Sequence, residues 1–211
     1  MQIRRVVAGT GADGRSVILS DGPAPHSHDF TSLPGQAQTR IWFTAQAPSS
    51  LPPDAEPTTA DGPVLPGAGG ASFVIVRFAP DTRAEVPGFN PEAVGREFAA
   101  CAPDIAAATE IANPGMHRTP TVDYGIVLEG EIWLEADDGA QVRLARGDTV
   151  VQLAGRHAWR NKTDEPTLVA FVLTGVARSG PPGPRTLPCV PGPGGPGPGM
   201  SLGERCGHAA P

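Results

Sequence analysis

An antiparallel all-β fold, a jelly-roll sandwich or barrel, is what this sequence predicts. Short segments with apolar residues at every second position recur along the chain, and Gly-containing turns separate them. Turn formers are abundant, with 27 Gly and 25 Pro among 211 residues. Helical patterning is confined to one or two short stretches. Many short strands, frequent turns and little helix together indicate a jelly-roll sandwich or barrel.

In chain order, residues 3–8, 16–20, 39–44 and 71–78 read as strands. Gly9 to Gly14 spells G-x-G-x-x-G, yet a second strand follows it instead of a helix and no phosphate-loop lysine is present, so it is a turn. His26 and His28 form an H-x-H pair in a Pro-rich context, which predicts an irregular surface loop. Residues 48–70, with Pro52-Pro53 and the Gly67 to Gly70 cluster, read as a loop. A helix starts with Asn90 as N-cap, Pro91 in the first turn and Glu92 at the positive end of the dipole, and stops before Pro103. An alanine-rich stretch, 104–112, offers a further turn or two of helix. Residues 131–137 alternate, and Asp138-Gly139 turns the chain into 141–145. Strands at 149–153 and 157–162 follow. The nearly continuous apolar run between Pro166 and Gly175 predicts a strand covered on both faces.

This organisation predicts one barrel domain over residues 1–178, with its core motifs at 115–176, and a disordered tail at 179–211. Residues 176–211 hold nine Gly and nine Pro without a collagen-like period, too little apolar surface to offset the entropy of ordering. A formal charge of −6 argues against nucleic acid or an anionic membrane as partner. No apolar run approaches the roughly 20 residues that span a bilayer, and Met1 to Ala8 lacks the pattern of a signal peptide. The expected location is the cytoplasm. Three cysteines, Cys101, Cys189 and Cys206, show no metal-binding spacing, and a structural disulfide is not expected.

The chemistry concentrates in two segments, one from Gly115 to Gly130 and one from Gly147 to Asn161. On an extended strand His117, Thr119, Thr121 and Asp123 share one face, and His157 faces them if the second segment lies across the same sandwich. Two imidazoles and a carboxylate suit a divalent transition metal with open positions; iron, zinc, nickel and manganese all fit the donor set. Thr119, Thr121 and Trp159 are the expected substrate-pocket residues, although Trp159 also suits a core role. Arg118, Arg156 and Arg160 are available carboxylate clamps, but Arg156 and Arg160 alternate away from His157 and read as solvated charges. Tyr124 alternates away from Asp123, onto the outer face of the sheet.

These two segments resemble the two signature motifs of the cupin superfamily, as found in small single-domain, type-2-like cupins. In the first motif, G-x5-H-x-H-x3-4-E-x6-G, His117 takes the first histidine and Gly130 the closing glycine. Thr119 replaces the second histidine, Asp123 replaces the glutamate, and Ile111 stands at the opening glycine. The second motif is matched by Gly147, Gly155, His157 and Asn161, with Leu153 where proline is usual and the step from Gly155 to His157 one residue short. The resemblance implies an antiparallel double-stranded β-helix, the jelly-roll barrel of cupins, holding a metal at His117, Asp123 and His157, and a homodimer. It also implies a metal-dependent enzyme acting on a small organic acid or aromatic metabolite, by lyase, decarboxylase, isomerase or iron-dependent dioxygenase chemistry. A non-catalytic metabolite-binding module without metal is the competing expectation. A purely structural homodimer, its histidines satisfied internally, ranks behind both.

Overall fold

A computed structural model describes residues 1–47 and 56–177. The expected tail from Ser179 onward and the first part of the 48–70 loop lie outside the described residues. Among the described residues the fold is antiparallel and mostly β, with two short α-helices. The elements run β1 (Arg4–Thr10), β2 (Ser16–Pro23), β3 (His26–Asp29), β4 (Ala37–Thr44) and β5 (Ala71–Phe78), then α1 (Pro91–Cys101) and α2 (Pro103–Ala108). The second half contributes β6 (Thr121–Glu129), β7 (Glu131–Glu135), β8 (Gln141–Ala145), β9 (Thr149–Leu153), β10 (Ala158–Arg160) and β11 (Thr167–Gly175). Three sheets result: the β1–β2 hairpin, a three-stranded sheet in the order β10-β7-β8, and a six-stranded sheet in the order β3-β4-β5-β11-β6-β9. None of the described helices is long and apolar enough to cross a membrane.

Alternation builds the core. Along β6, Thr121, Asp123, Gly125 and Val127 point inward, while Tyr124, Ile126 and Leu128 point out. Val127 joins Ile132 and Leu144 from the smaller sheet and Val74, Val169, Phe171 and Leu173 from the larger one in a single interior cluster. Gly125 is required there, because a Cβ would lie 2.8 Å from Val150 Cγ1 and 3.2 Å from the Phe171 ring. The predicted hairpin turn closes with Asp138 at φ 58° and Gly139 at φ 72°, the left-handed pair that a tight turn between twisted strands favours. Helix α1 is capped as expected, its Asn90 side chain accepting from the Ala93 N–H at 3.0 Å.

Two expectations are corrected. His26 and His28 lie on strand β3, paired with β4, not in an irregular loop. Pro23 and Pro25 precede the pairing and favour extended backbone, and β3 is a sheet edge that tolerates nearby proline. Strand β11 is not covered evenly on both faces. Its inward residues are buried, whereas outward Leu168 and Ala170 pack under Met1, Ile3 and Ala24 and outward Val172 stays exposed. That same N-terminal segment covers Phe73 and Ile75 of β5, so the outer face of β5 does not need a second chain to shield it.

Asn161 ties the smaller sheet's end to the larger one. Its buried amide donates to the carbonyls of Phe78 (3.0 Å) and Glu165 (2.8 Å) and accepts from the Thr163 N–H (3.0 Å) and hydroxyl (2.7 Å). Replacing it with alanine removes all four bonds in a site that is 1% exposed and leaves the Thr163 N–H without its acceptor. Asn161→Ala is expected to cost about 2–4 kcal/mol in urea unfolding; a loss below roughly 0.5 kcal/mol, the size of an ordinary surface change, would show that the bonds are not structural.

Candidate functional site

The site grows from a pair of Gly-x-His segments, Gly115-Met116-His117 and Gly155-Arg156-His157. They meet as an isolated antiparallel bridge in which the His117 N–H donates to the His157 carbonyl and the His157 N–H donates to the His117 carbonyl, both at 2.9 Å. Residues directly opposite in such a pair project side chains to the same face. The two imidazoles therefore lie against each other, with ring centroids 4.3 Å apart and planes inclined at 51°. Each ring places Nδ1 near the carbonyl two residues upstream. His117 Nδ1 is 2.9 Å from the Gly115 oxygen, and His157 Nδ1 is 3.1 Å from the Gly155 oxygen. A ring donating Nδ1–H to a carbonyl presents Nε2 as a lone pair, the orientation a metal-binding imidazole needs.

Gln152, which sequence reasoning missed, governs the second ring. Its amide is held by Gly155, whose N–H donates to Oε1 at 3.0 Å and whose carbonyl accepts from Nε2 at 2.8 Å. The same Nε2 lies 3.0 Å from His157 Nδ1. His157 thus has two alternatives at Nδ1, accepting from Gln152 or donating to Gly155, and only the second frees Nε2. A signal was present: Gln152 occupies the inward parity of β9, a polar residue at a position where alternation calls for an apolar one.

Asp123 is the cross-strand partner of Gln152 and of Leu173, so it sits on the inner face one strand from the glutamine that holds His157. Its side chain is buried, and Oδ1 has no hydrogen-bond partner among the described residues. Burial pushes its carboxyl up to about 6, against a smaller opposing effect of the Thr121 hydroxyl. Burial and the neighbouring His117 push His157 down to about 4, and burial lowers His117 as well. Both rings are neutral at pH 7, as metal ligation requires. Thr119 and Thr121 are buried and hydrogen-bonded to each other at 2.8 Å. Trp159 stands edge-on to His157, centroids 6.1 Å apart at 88°, and its ring packs on Phe171 at 5.2 Å. It forms a wall between the histidines and the core.

The structure brings His117 and His157 into contact and turns Asp123 to the same interior. Among the described residues, however, no three His, Cys, Asp or Glu side chains are close enough together to hold an ion as they stand. The two arginines correct another expectation. Arg156 is not a free surface charge, because it makes a paired contact with Glu110 (2.6 and 2.7 Å) and a third bond to Asp137 (2.7 Å). The Arg156 guanidinium holds the Glu110 carboxyl down to about 2. Arg160 binds Glu135 (2.6 Å) and the Pro114 carbonyl (2.8 Å). Both arginines therefore anchor the loop that leads into His117. A cavity lies elsewhere, between Arg40, Trp42, Thr58 and Ser72, and none of the histidine-site residues lines it.

No protein-family model matches the chain. Among curated proteins, the oryzines biosynthesis cluster protein J of Aspergillus oryzae is 50% identical over 49 residues, 23% of this chain and 27% of that protein. The cupin-domain-containing oxidoreductase virC of Hypocrea virens is 44% identical over 64 residues, 30% of this chain and 32% of that protein. A longer match, to the cupin-domain-containing oxidoreductase fogC of Aspergillus ruber, is 28% identical over 174 residues, 82% of this chain and 70% of that protein. The matches to the first two relatives thus span 27% and 32% of those proteins' lengths. Among solved structures, a cupin 2 conserved barrel domain protein from Salinispora arenicola aligns with TM-score 0.35 and 17% identity over 67% of this chain and 78% of that one. An RmlC-like cupin from Shewanella frigidimarina aligns with TM-score 0.35 and 12% identity over the same shares, 67% and 78%.

The buried carboxylate makes stability depend on pH in a defined direction. The folded Asp123 binds its proton more tightly than the unfolded residue, whose ordinary value is 3.8. Its cost is therefore absent below about pH 4 and complete above about pH 6. In chelator-treated protein, Asp123→Asn is expected to stabilise by about 2 kcal/mol at pH 7.5, a gain that shrinks toward zero at pH 4. Denaturant unfolding at the two pH values checks this, and an equal gain at both would refute it.

Proposed function

We propose that the chain is a cupin-like, metal-dependent enzyme acting on a small organic acid or aromatic metabolite. The observation that carries this reading is the His117–His157 pair, in which His157 is buried and His117 half-buried and both are shifted toward the neutral form, with the orphaned Oδ1 of Asp123 turned to the same interior. The orphaned oxygen is the feature that an added cation or a bound substrate proton would satisfy. Support also comes from the names of relatives, several of which are cupin-domain-containing oxidoreductases.

The donor set fits a divalent iron, zinc, nickel or manganese ion, which His117 and His157 would hold through Nε2, with Asp123 as third donor or as its neighbour. Such an ion supplies Lewis acidity that polarises a substrate oxygen. The chain's own residues supply the rest. Asp123, with its carboxyl near 6, can take up or release a proton close to neutral pH. The Thr119 and Thr121 hydroxyls offer a donor and an acceptor on the same face. Trp159 and Phe171 exclude water from one side. Arg156 and Arg160 are committed to Glu110, Asp137 and Glu135, so neither serves as the carboxylate clamp.

One observation favours a second reading, a metabolite-binding module without metal: Thr119 stands where a further imidazole would complete the ligand set, and the described residues do not assemble three ligands. Metal analysis separates the two. Wild-type protein is expected to carry a stoichiometric ion after purification or reconstitution with iron, zinc, nickel or manganese. His157→Ala is expected to lose it with an unchanged circular dichroism spectrum. Gln152→Leu, which removes the group competing for and positioning His157, is expected to change metal affinity by about tenfold or more. Wild-type protein that retains none of the four metals would support the binding module instead.

A further inference from the structure

Between β4, β5 and the loop at residues 57–64 lies a cavity of about 140 Å³ whose polar side is cationic. Arg40 and Ser72 form that side, and both are more than nine-tenths buried, at 6% and 2% exposed. Trp42, Phe43, Val64 and Val74 supply apolar wall. Strand pairing sets Arg40 opposite Val74 and Phe43 opposite Ser72, and directly opposed residues share a face. Strict alternation would send Arg40 and Phe43 to opposite faces. The bulge between Arg40 and Trp42 removes that conflict and turns both toward the cavity.

Arg40 is the anomaly. A guanidinium carries five N–H donors and is almost never fully buried without a charged partner. Here Nη1 donates to the Pro63 carbonyl at 3.0 Å and Nη2 to the Cys101 carbonyl at 2.5 Å. Those two bonds fasten the end of α1 and the loop at Pro63 to β4, and they leave the other donors of the group unspent. Among the described residues no carboxylate forms an ion pair with Arg40. Burial pulls the guanidinium below its ordinary value, and Cys101, Asp104 and Asp61 oppose this only in part. Asp104 is committed to the Val64 and Leu65 N–H groups at 2.8 and 2.6 Å, and Asp61 is exposed. Glu56 accepts from the cavity-lining Thr58 hydroxyl but is itself paired with Arg5.

We infer that this cavity binds a compact monocarboxylate with an apolar body of up to about six carbons, its carboxylate held by the Arg40 guanidinium and the Ser72 hydroxyl. Guanidinium matches carboxylate in a paired, charge-assisted contact, which a low-dielectric interior strengthens. Volume sets the size of the body: an apolar cavity of about 150 Å³ accepts benzene, and this one is of that order. Inorganic phosphate satisfies the charge but leaves the apolar walls unused, and a dicarboxylate would bury a second, unpaired charge against Trp42 and Phe43. The cavity is distinct from the histidine pair. Register runs Arg40, Val74, Phe171, Gly125 across β4, β5, β11 and β6, so roughly 14 Å of sheet separates Arg40 from the strand that carries Asp123. Binding here requires no metal at His117 or His157.

Isothermal titration of the full chain with benzoate and isobutyrate, before and after chelator treatment, tests the assignment. Both acids are expected to saturate one site and to raise the thermal midpoint, equally with and without chelator. Benzamide, of the same shape without the charge, is expected to bind about tenfold more weakly or worse. Arg40→Gln is expected to weaken benzoate by a similar factor. Ser72→Leu, which fills the cavity and leaves the two Arg40 bonds in place, is expected to abolish binding. Should Arg40→Gln fail to fold, benzamide and Ser72→Leu decide. No saturable binding of either acid at millimolar concentration would show that water alone fills the cavity and would overturn the proposal. Binding that vanishes on chelator treatment, which would put the acid at the histidines, or binding undiminished by Ser72→Leu, would overturn it equally.

Discussion

Two backbone hydrogen bonds, exchanged between His117 and His157, are the constraint on which the site depends. They are short-range in geometry but join residues 40 apart in the chain. Because the pair is directly opposed, both side chains emerge on one face without any adjustment of rotamer being needed to make them meet. The Gly at the second position upstream of each histidine then offers its carbonyl to Nδ1. The result is a near-symmetric construction from two Gly-x-His segments.

Charge reinforces this bridge from outside while burial tunes it from within. Arg156, next in sequence to His157, grips Glu110, and the Glu110 N–H in turn donates to the Met116 carbonyl next to His117. Arg160 reaches the same loop through Pro114. Each arginine is therefore held by carboxylates on the solvent side, where ionised groups are stable, and the interior is left with neutral imidazoles and one desolvated carboxyl. A cation among these groups would relieve the burial of Asp123, which gives the metal reading its physical motive.

Much of the fold was legible because its signals are local. Alternation located β5, β8 and β9 and the turn at Asp138-Gly139, and the Asn90-Pro91-Glu92 sequence marked the start of α1. The failures were also local readings, applied where distant partners decide. His26 and His28 looked like loop residues beside their prolines until β4 paired with them. Arg156 and Arg160 looked solvated because parity says only which side a residue faces, not which carboxylates wait there.

What the sequence by itself determined was the face that each strand residue occupies, because side-chain alternation is a property of the extended backbone and requires no knowledge of neighbours. That sufficed to align His117, Thr119, Thr121 and Asp123 and to match two cupin-like segments. Only the tertiary structure decided which residues touch: the reciprocal pairing of the two histidines, the hold of Gln152 on His157, and the packing of the N-terminal segment on the outer sheet face. Register and sheet order arise from contacts between segments far apart in the chain, and no local pattern encodes them uniquely.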